Sequence, residues 1–160
     1  MHSGSVFSVK QKAGSDWCGL ACLESACRDQ KKDISQSTLH DDALLKLKQS
    51  DDSKGAMLLS LAWSVCLGNC VQSGKGEAFL RAAERFIKDS AVFITTNRDP
   101  NTGKYAGHCW RLDSVGEKGF KVMEPSDKIS EQFVDKTFED LKTHDCDIWI
   151  ITTVDVLKKR

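Results

Sequence analysis

Four side chains have the types and the order that acyl transfer through a thioester demands. Gln11 comes first. Cys18 follows at the opening of an apolar helix, in Asp16-Trp17-Cys18-Gly19-Leu20-Ala21-Cys22-Leu23. His108 stands far downstream in Gly107-His108-Cys109-Trp110-Arg111-Leu112, and Glu124 follows in Val122-Met123-Glu124-Pro125. An amide donor, a thiol, an imidazole and an orienting acid make up the machinery of nucleophilic amide cleavage.

Each residue has a stated job in that chemistry. Cys18 would sit in the first turn of its helix, where unpaired amides and the helix dipole stabilise negative charge. Gly19 and Ala21 are small, so a substrate carbonyl could approach the sulfur. His108 would take the thiol proton and later protonate the leaving group. His2 belongs to residues 1–5, which read as a cloning scar, and His40 and His144 adjoin acidic residues in segments that read as exposed. Gln11 precedes Cys18 across a loop, and its amide could join the Cys18 N–H in an oxyanion hole. Trp17 and Trp110 flank the thiol and the imidazole in sequence and suit either cleft walls or ordinary core packing.

The third member depends on strand register. His108, Trp110 and Leu112 share one face of a predicted strand, and Asp113 points the other way. With a turn at Gly116-Glu117, Glu124 lies across the hairpin within a residue or two of His108. A bulge would shift the register and bring Asp127 there instead.

The elements that must position these groups follow from periodicity. Residues 6–9 alternate weakly and suit a short edge strand or a lead-in. Asp16 is a suitable helix cap for a broad apolar helix over 17–28. Further helices are predicted over 36–49, over 55–67 with a stop at Gly68-Asn69, and after Gly76. The period then changes. Strands are predicted over 91–96, 108–115 and 120–124, with a loop at 98–103 and a hairpin turn at 116–119. A helix over 130–142 and a final strand over 148–154 complete the pattern. Helices first and an antiparallel sheet afterwards is an α+β arrangement, with the thiol in the helical half and the imidazole in the sheet half.

Composition narrows the class. The 160 residues suit one domain with one core, here 6–160; residues 1–5 read as a cloning scar. Lys plus Arg balances Asp plus Glu at 23 each, which gives no electrostatic case for nucleic acid or a membrane surface. The longest apolar stretch, 56–67, is too short and too interrupted to span a bilayer. The seven cysteines lie mostly in apolar periodic segments, which favours free thiols in a reducing, cytoplasmic compartment. No Cys-x-x-Cys pair occurs, so no metal is expected.

These motifs resemble the papain-like superfamily of cysteine peptidases. The segment from Gln11 to Leu23 is similar to the Gln…Cys-Gly-x-Ala nucleophile motif of Josephin-type deubiquitinases and bacteriocin-leader-processing peptidases. Gly107-His108-Cys109-Trp110 and Glu124-Pro125 resemble their histidine strand and following acid. Where the superfamily usually has Asn or Asp, this chain has Glu124. The middle helices, 36–88, match none of these patterns. The resemblance implies a papain-like fold, with the nucleophile helix packed on a C-terminal antiparallel sheet. It implies hydrolysis of peptide or isopeptide bonds in a protein substrate without a cofactor. Ubiquitin-like conjugates are one such substrate, and a host protein met after delivery of an effector into a host cell is another. Glutamine deamidation is the enzymatic alternative, because it uses the same Cys-His-acid set and differs only in releasing ammonia. A non-catalytic binding module of the same fold is the third class, and the intact Gln11, Cys18 and His108 argue against it.

Overall fold

The computed structural model describes residue 4 and residues 6–47, 70–87 and 91–152. Helix α1 spans Cys18–Asp29 and α2 spans Gln36–Leu47; strand β1 spans Cys70–Gly74. Helix α3, Gly76–Ala83, runs on into a single 3₁₀ turn, Glu84–Phe86. Then come β2 (Ala91–Thr96), β3 (His108–Val115), β4 (Gly119–Met123), β5 (Phe133–Thr137), α4 (Phe138–Thr143) and β6 (Asp147–Thr152).

Helix α1 is enclosed because its apolar residues wrap most of its circumference. Every residue of α1 from Gly19 to Cys27 is buried, and Leu20 and Leu23 are wholly so. Burying such a side chain contributes about 1.5–3 kcal/mol. The helix begins differently from the expectation. Trp17, not Asp16, occupies the cap position, and no side chain caps the helix there. The first-turn amides therefore stay free of a competing carboxylate.

The six strands form one antiparallel sheet in the order β1-β6-β2-β3-β4-β5. Strand β2 is buried at Ala91, Val92, Phe93, Ile94 and Thr96, on both faces, so the centre of the sheet is covered on each side. Helix α1 packs against β3 and β2, and α3 packs against β6 and α4. This is an α+β arrangement, with helices laid on a six-stranded sheet.

The β3–β4 hairpin forms where expected. Its turn closes through Gly116 N–H to Gly119 O at 2.7 Å. Gly119 cannot be replaced cheaply, because a Cβ there would lie 2.2 Å from Lys136 O. Arg111 pairs with Met123 and Leu112 with Val122, but the register then shifts between Leu112 and Ser114. Asp113, at that irregularity, is buried and accepts the Val6 N–H at 2.7 Å.

Several predicted elements come out otherwise. The helix expected over 130–142 is instead strand β5 followed by the short helix α4. β-Branched Val134 and Thr137 favour the strand, and Thr137 with Asp140 forms a capping box that starts the helix only there. Strand β1 carried too little apolar pattern to be predicted; it is held at the sheet edge by pairing to β6. Residues 6–9 are a lead-in, not a strand, because their backbone partners are largely side chains: Phe7 N–H donates to Asp29 and Val9 N–H to Met123 Sδ. The predicted helix over 55–67, its stop at Gly68-Asn69, the last two residues of the predicted 36–49 helix and the end of the final strand lie outside the described residues.

Candidate active site

Cys18 is the first residue of α1 and half-buried. The irregular start of the helix leaves its N–H among the first-turn amides that have no intrahelical acceptor. Its neighbours on the inner side, Cys22 and Cys109, are buried thiols whose pKa values burial pushes up. Cys22, Cys27, Cys109 and Cys146 are buried, whereas Cys18 is half-buried.

His108 opens β3 and lies near enough to Cys18 for the sulfur to act on its pKa. The two groups, ninety positions apart, are brought together because α1 packs across β3. Arg111 reaches Ser25 and Asp29 on α1, which puts Trp110 on the opposite face of the strand. His108, at the first position of the strand, is half-buried.

Glu124 follows directly on β4 and is almost wholly buried. Its Oε2 lies 2.6 Å from His108 Nε2 and accepts the Ser126 N–H at 3.0 Å. Its Oε1 accepts the Trp110 indole N–H at 3.2 Å. With Nε2 engaged by Glu124, Nδ1 is the ring nitrogen left for the thiol. Asp127 is placed elsewhere: it is exposed, and its carboxylate accepts the Gly14 N–H at 3.1 Å.

The electrostatics follow from these contacts. Burial is the largest influence on His108 and by itself would push its pKa down. Hydrogen bonds to Cys18 and Glu124, with the negative charge on each, outweigh it and hold the imidazole up at about 10. Burial likewise would push Glu124 up. The His108 hydrogen bond and charge, the Ser126 N–H and Lys136 outweigh it and hold Glu124 below its ordinary value. Both shifts favour an imidazolium paired with the Glu124 carboxylate.

Gln11 lies in the loop before α1, tied at both ends to the site. Its N–H donates to Pro125 O at 2.8 Å, beside Glu124, and its Nε2 donates to Ser15 O at 2.6 Å, close to Cys18 in the chain. A side-chain amide has two N–H donors, so Nε2 keeps a second one. Trp17 does not wall the thiol in isolation; it stacks on His40 with ring centroids 4.5 Å apart. His40, which the sequence presented as exposed, is buried, because α2 lays it against Trp17. Sequence reasoning missed the Ser126 amide, a backbone donor that no residue type could announce. It also missed Gln36, whose side chain bonds Lys10 O at 2.9 Å and the Lys12 N–H at 3.0 Å and so fixes the Gln11 segment.

A cleft of about 300 Å³ opens beyond the imidazole. His108, Glu124, Arg98, Trp110, Ile129 and His144 are among its lining residues, and no residue of α1 is.

Solved structures share this fold. The peptidase domain of Streptococcus ComA, a bi-functional ABC transporter of a quorum-sensing pathway, superposes with a TM-score of 0.64. It is 16% identical, over 93% of this chain and 100% of that domain. A double-glycine-motif protease from an AMS/PCAT transporter, solved with its leader peptide, gives 0.59 at 17% identity over 94% of each chain. A C39-like peptidase from Bacillus anthracis gives 0.62 at 14% identity over 95% of this chain and 98% of that one. No family model matches the sequence, and no curated protein matches it. The chain thus has the papain-like fold of C39-type cysteine peptidase domains, reached by a sequence far from theirs.

Proposed function

We propose that this protein is a cysteine peptidase that hydrolyses amide bonds in a polypeptide through a thioester on Cys18. The observation that carries the reading is the 2.6 Å contact between His108 and the buried Glu124, on a strand crossed by the helix that Cys18 opens, with the sulfur near enough to act on the imidazole. His108, held protonated, stabilises the Cys18 thiolate. The sulfur attacks the substrate carbonyl carbon, and its π electrons move onto oxygen. The Cys18 N–H and the free Nε2 donor of Gln11 stabilise that oxyanion. As the tetrahedral adduct collapses, the C–N bond breaks and His108 gives its proton to the departing nitrogen, leaving a neutral amine and a thioester. Water then attacks the thioester with His108 as base, and the C–S bond breaks to release the acid and restore the thiolate–imidazolium pair. Glu124 keeps the imidazole oriented and stabilises its charged form throughout.

The leaving nitrogen must lie on the imidazole side of the sulfur, because the imidazolium protonates it. The cleft beyond His108 therefore faces the departing portion of the substrate. Ammonia would need no such space, whereas a peptide chain would, and this supports peptide or isopeptide cleavage over glutamine deamidation. The leader peptide held by the PCAT neighbour supports an extended peptide substrate. Ubiquitin-like conjugates and host proteins are substrates of that same chemical class.

The test is mass spectrometry of candidate polypeptides incubated with wild type and Cys18→Ala. The expected result is a severed chain with wild type only. An amide converted to acid in an uncut chain would replace this reading with deamidation. Equal cleavage by both proteins would remove Cys18 from the mechanism.

A further inference from the structure

Lys10, the residue before Gln11, has no role in the chemistry above, yet its ammonium is bound as a metal ion might be. Nζ lies 3.0 Å from Glu124 O, 3.1 Å from Ser126 O, 2.8 Å from Ile129 O and 2.7 Å from Glu131 O. Lysine usually extends its charge into water. Here a half-buried ammonium lies among four backbone carbonyls, and among the described residues it forms no ion pair. An ammonium has only three N–H donors, so four acceptors crowd it as a cation's ligands would. Four carbonyl dipoles turned toward one point repel one another, and the positive charge is what makes that convergence favourable.

The four carbonyls belong to the loop that leaves β4 at the acid. The first is that of Glu124 itself. The second belongs to Ser126, whose N–H donates to Glu124 Oε2, the oxygen that also meets His108. The path of the loop around Nζ therefore decides where the Ser126 amide points, and that amide decides how the carboxylate is turned. Between these carbonyls, Pro125 O accepts the Gln11 N–H. Consecutive residues of one strap thus hold the loop that carries the acid: Gln11 through Pro125 O, and Lys10 through the carbonyls on either side of it.

We infer that Lys10 is a positioning residue: its ammonium, caged by the carbonyls of residues 124, 126, 129 and 131, fixes the Glu124 carboxylate against His108. The inference rests on the cysteine-peptidase reading for its consequence, but its geometry concerns Glu124 and His108 alone. Without the charge, the carbonyls turn outward, the Ser126 amide leaves Oε2, and Glu124 rotates between rotamers. The imidazolium then loses part of its stabilisation, and the pH range of the reactive thiolate–imidazolium pair narrows. A residue that merely stabilised the loop would lower the melting temperature and leave that range unchanged.

The experiment compares wild type with Lys10→Met, which keeps length and removes charge. Two readouts are taken on folded protein: the pH profile of Cys18 alkylation by iodoacetamide, located by mass spectrometry, and the titration of the His108 ring by NMR. Lys10→Met is expected to lower the His108 midpoint and to slow Cys18 labelling about tenfold at the edges of the wild-type pH range, the change that one pH unit of narrowing produces. In Lys10→Ala, methylammonium chloride should restore both readouts and sodium chloride at the same ionic strength should not, because only the former supplies N–H donors to the cage. Should Lys10→Met not fold, Lys10→Arg keeps the charge, but its planar fork cannot serve four oxygens around one point, so both readouts should still move. A folded variant with the wild-type His108 titration overturns the inference. Wild type whose Cys18 is no more reactive than the buried thiols overturns the peptidase reading instead, and the His108 titration then still decides the role of Lys10.

Discussion

The two halves of the site are held very differently. At the rim of the sheet, Glu124 is buried and meets three donors, from His108, Trp110 and Ser126, and its own carbonyl meets Lys10. At the mouth of α1, no side chain caps the helix, and the Cys18 sulfur lies 4.0 Å from Asp16 O. Gln11 Nε2 is tied by one bond to Ser15 O. The difference follows the chemistry. The acid and imidazole must keep their orientation while charge moves through them, so fixed donors surround the acid. The thiol and the amide must accept a substrate carbonyl, and groups already satisfied could not do so. Rigidity lies on one side of the sulfur, and access on the other.

The comparison breaks most sharply at the sulfur. Cys18→Ala is expected to abolish turnover while leaving the melting temperature close to wild type, because the residue is half-buried and its removal leaves no unpaired charge in the core. Retained turnover, measured on the same polypeptide substrate, would contradict it. On the rigid side, Glu124→Gln should reduce kcat by ~10² or more, the scale of general acid–base assistance. Asp127→Asn should leave kcat near wild type, since its carboxylate serves Gly14. The opposite ranking would move the orienting role to Asp127. On the open side, Gln11→Ala should reduce kcat by ~10²–10³, as loss of one oxyanion donor does, with KM little changed. A loss in KM alone would make Gln11 a binding group.

Dependence on pH sharpens the same contrast. His108 is held up at about 10, so the stability it contributes is complete below its ordinary value and is lost as pH rises through about 10. Glu124 is held below its ordinary value, so its contribution is present above the usual carboxylate range and is lost as pH falls through the depressed value. The paired form therefore occupies the neutral window. His108→Ala should cost most stability there, and the difference in melting temperature from wild type should shrink in acid and in strong alkali. A difference that does not vary with pH would mean that the pair is not ionised. The smallest effect is expected away from both halves. Thr137→Ala removes the cap of α4 and should cost about 1 kcal/mol in denaturant unfolding with no change in kcat.

How much was legible in the sequence depended on the range of the forces involved. The β3–β4 hairpin could be read because alternation and a Gly-x-x-Gly turn are local. Helix α1 could be read for the same reason. The segment from Phe133 to Thr143 could not: its apolar residues suit either period, and pairing of Phe133 with Met123 chose the strand. His40 was misread because the acidic residues after it suggested solvent, whereas the ring of Trp17 covers it.

The sequence by itself determined the inventory: one thiol at a helix start, an imidazole at a strand start, a carboxylate one hairpin turn away, and an amide just upstream. Those follow from residue type and spacing over a few turns of chain. Tertiary structure alone decided that α1 crosses β3 so that sulfur meets imidazole. It also decided that Glu124 and not Asp127 faces the ring, and that Lys10 turns four carbonyls inward beneath it. Such choices rest on packing between segments distant in the chain and on backbone groups, and backbone groups are the same at every position of a sequence.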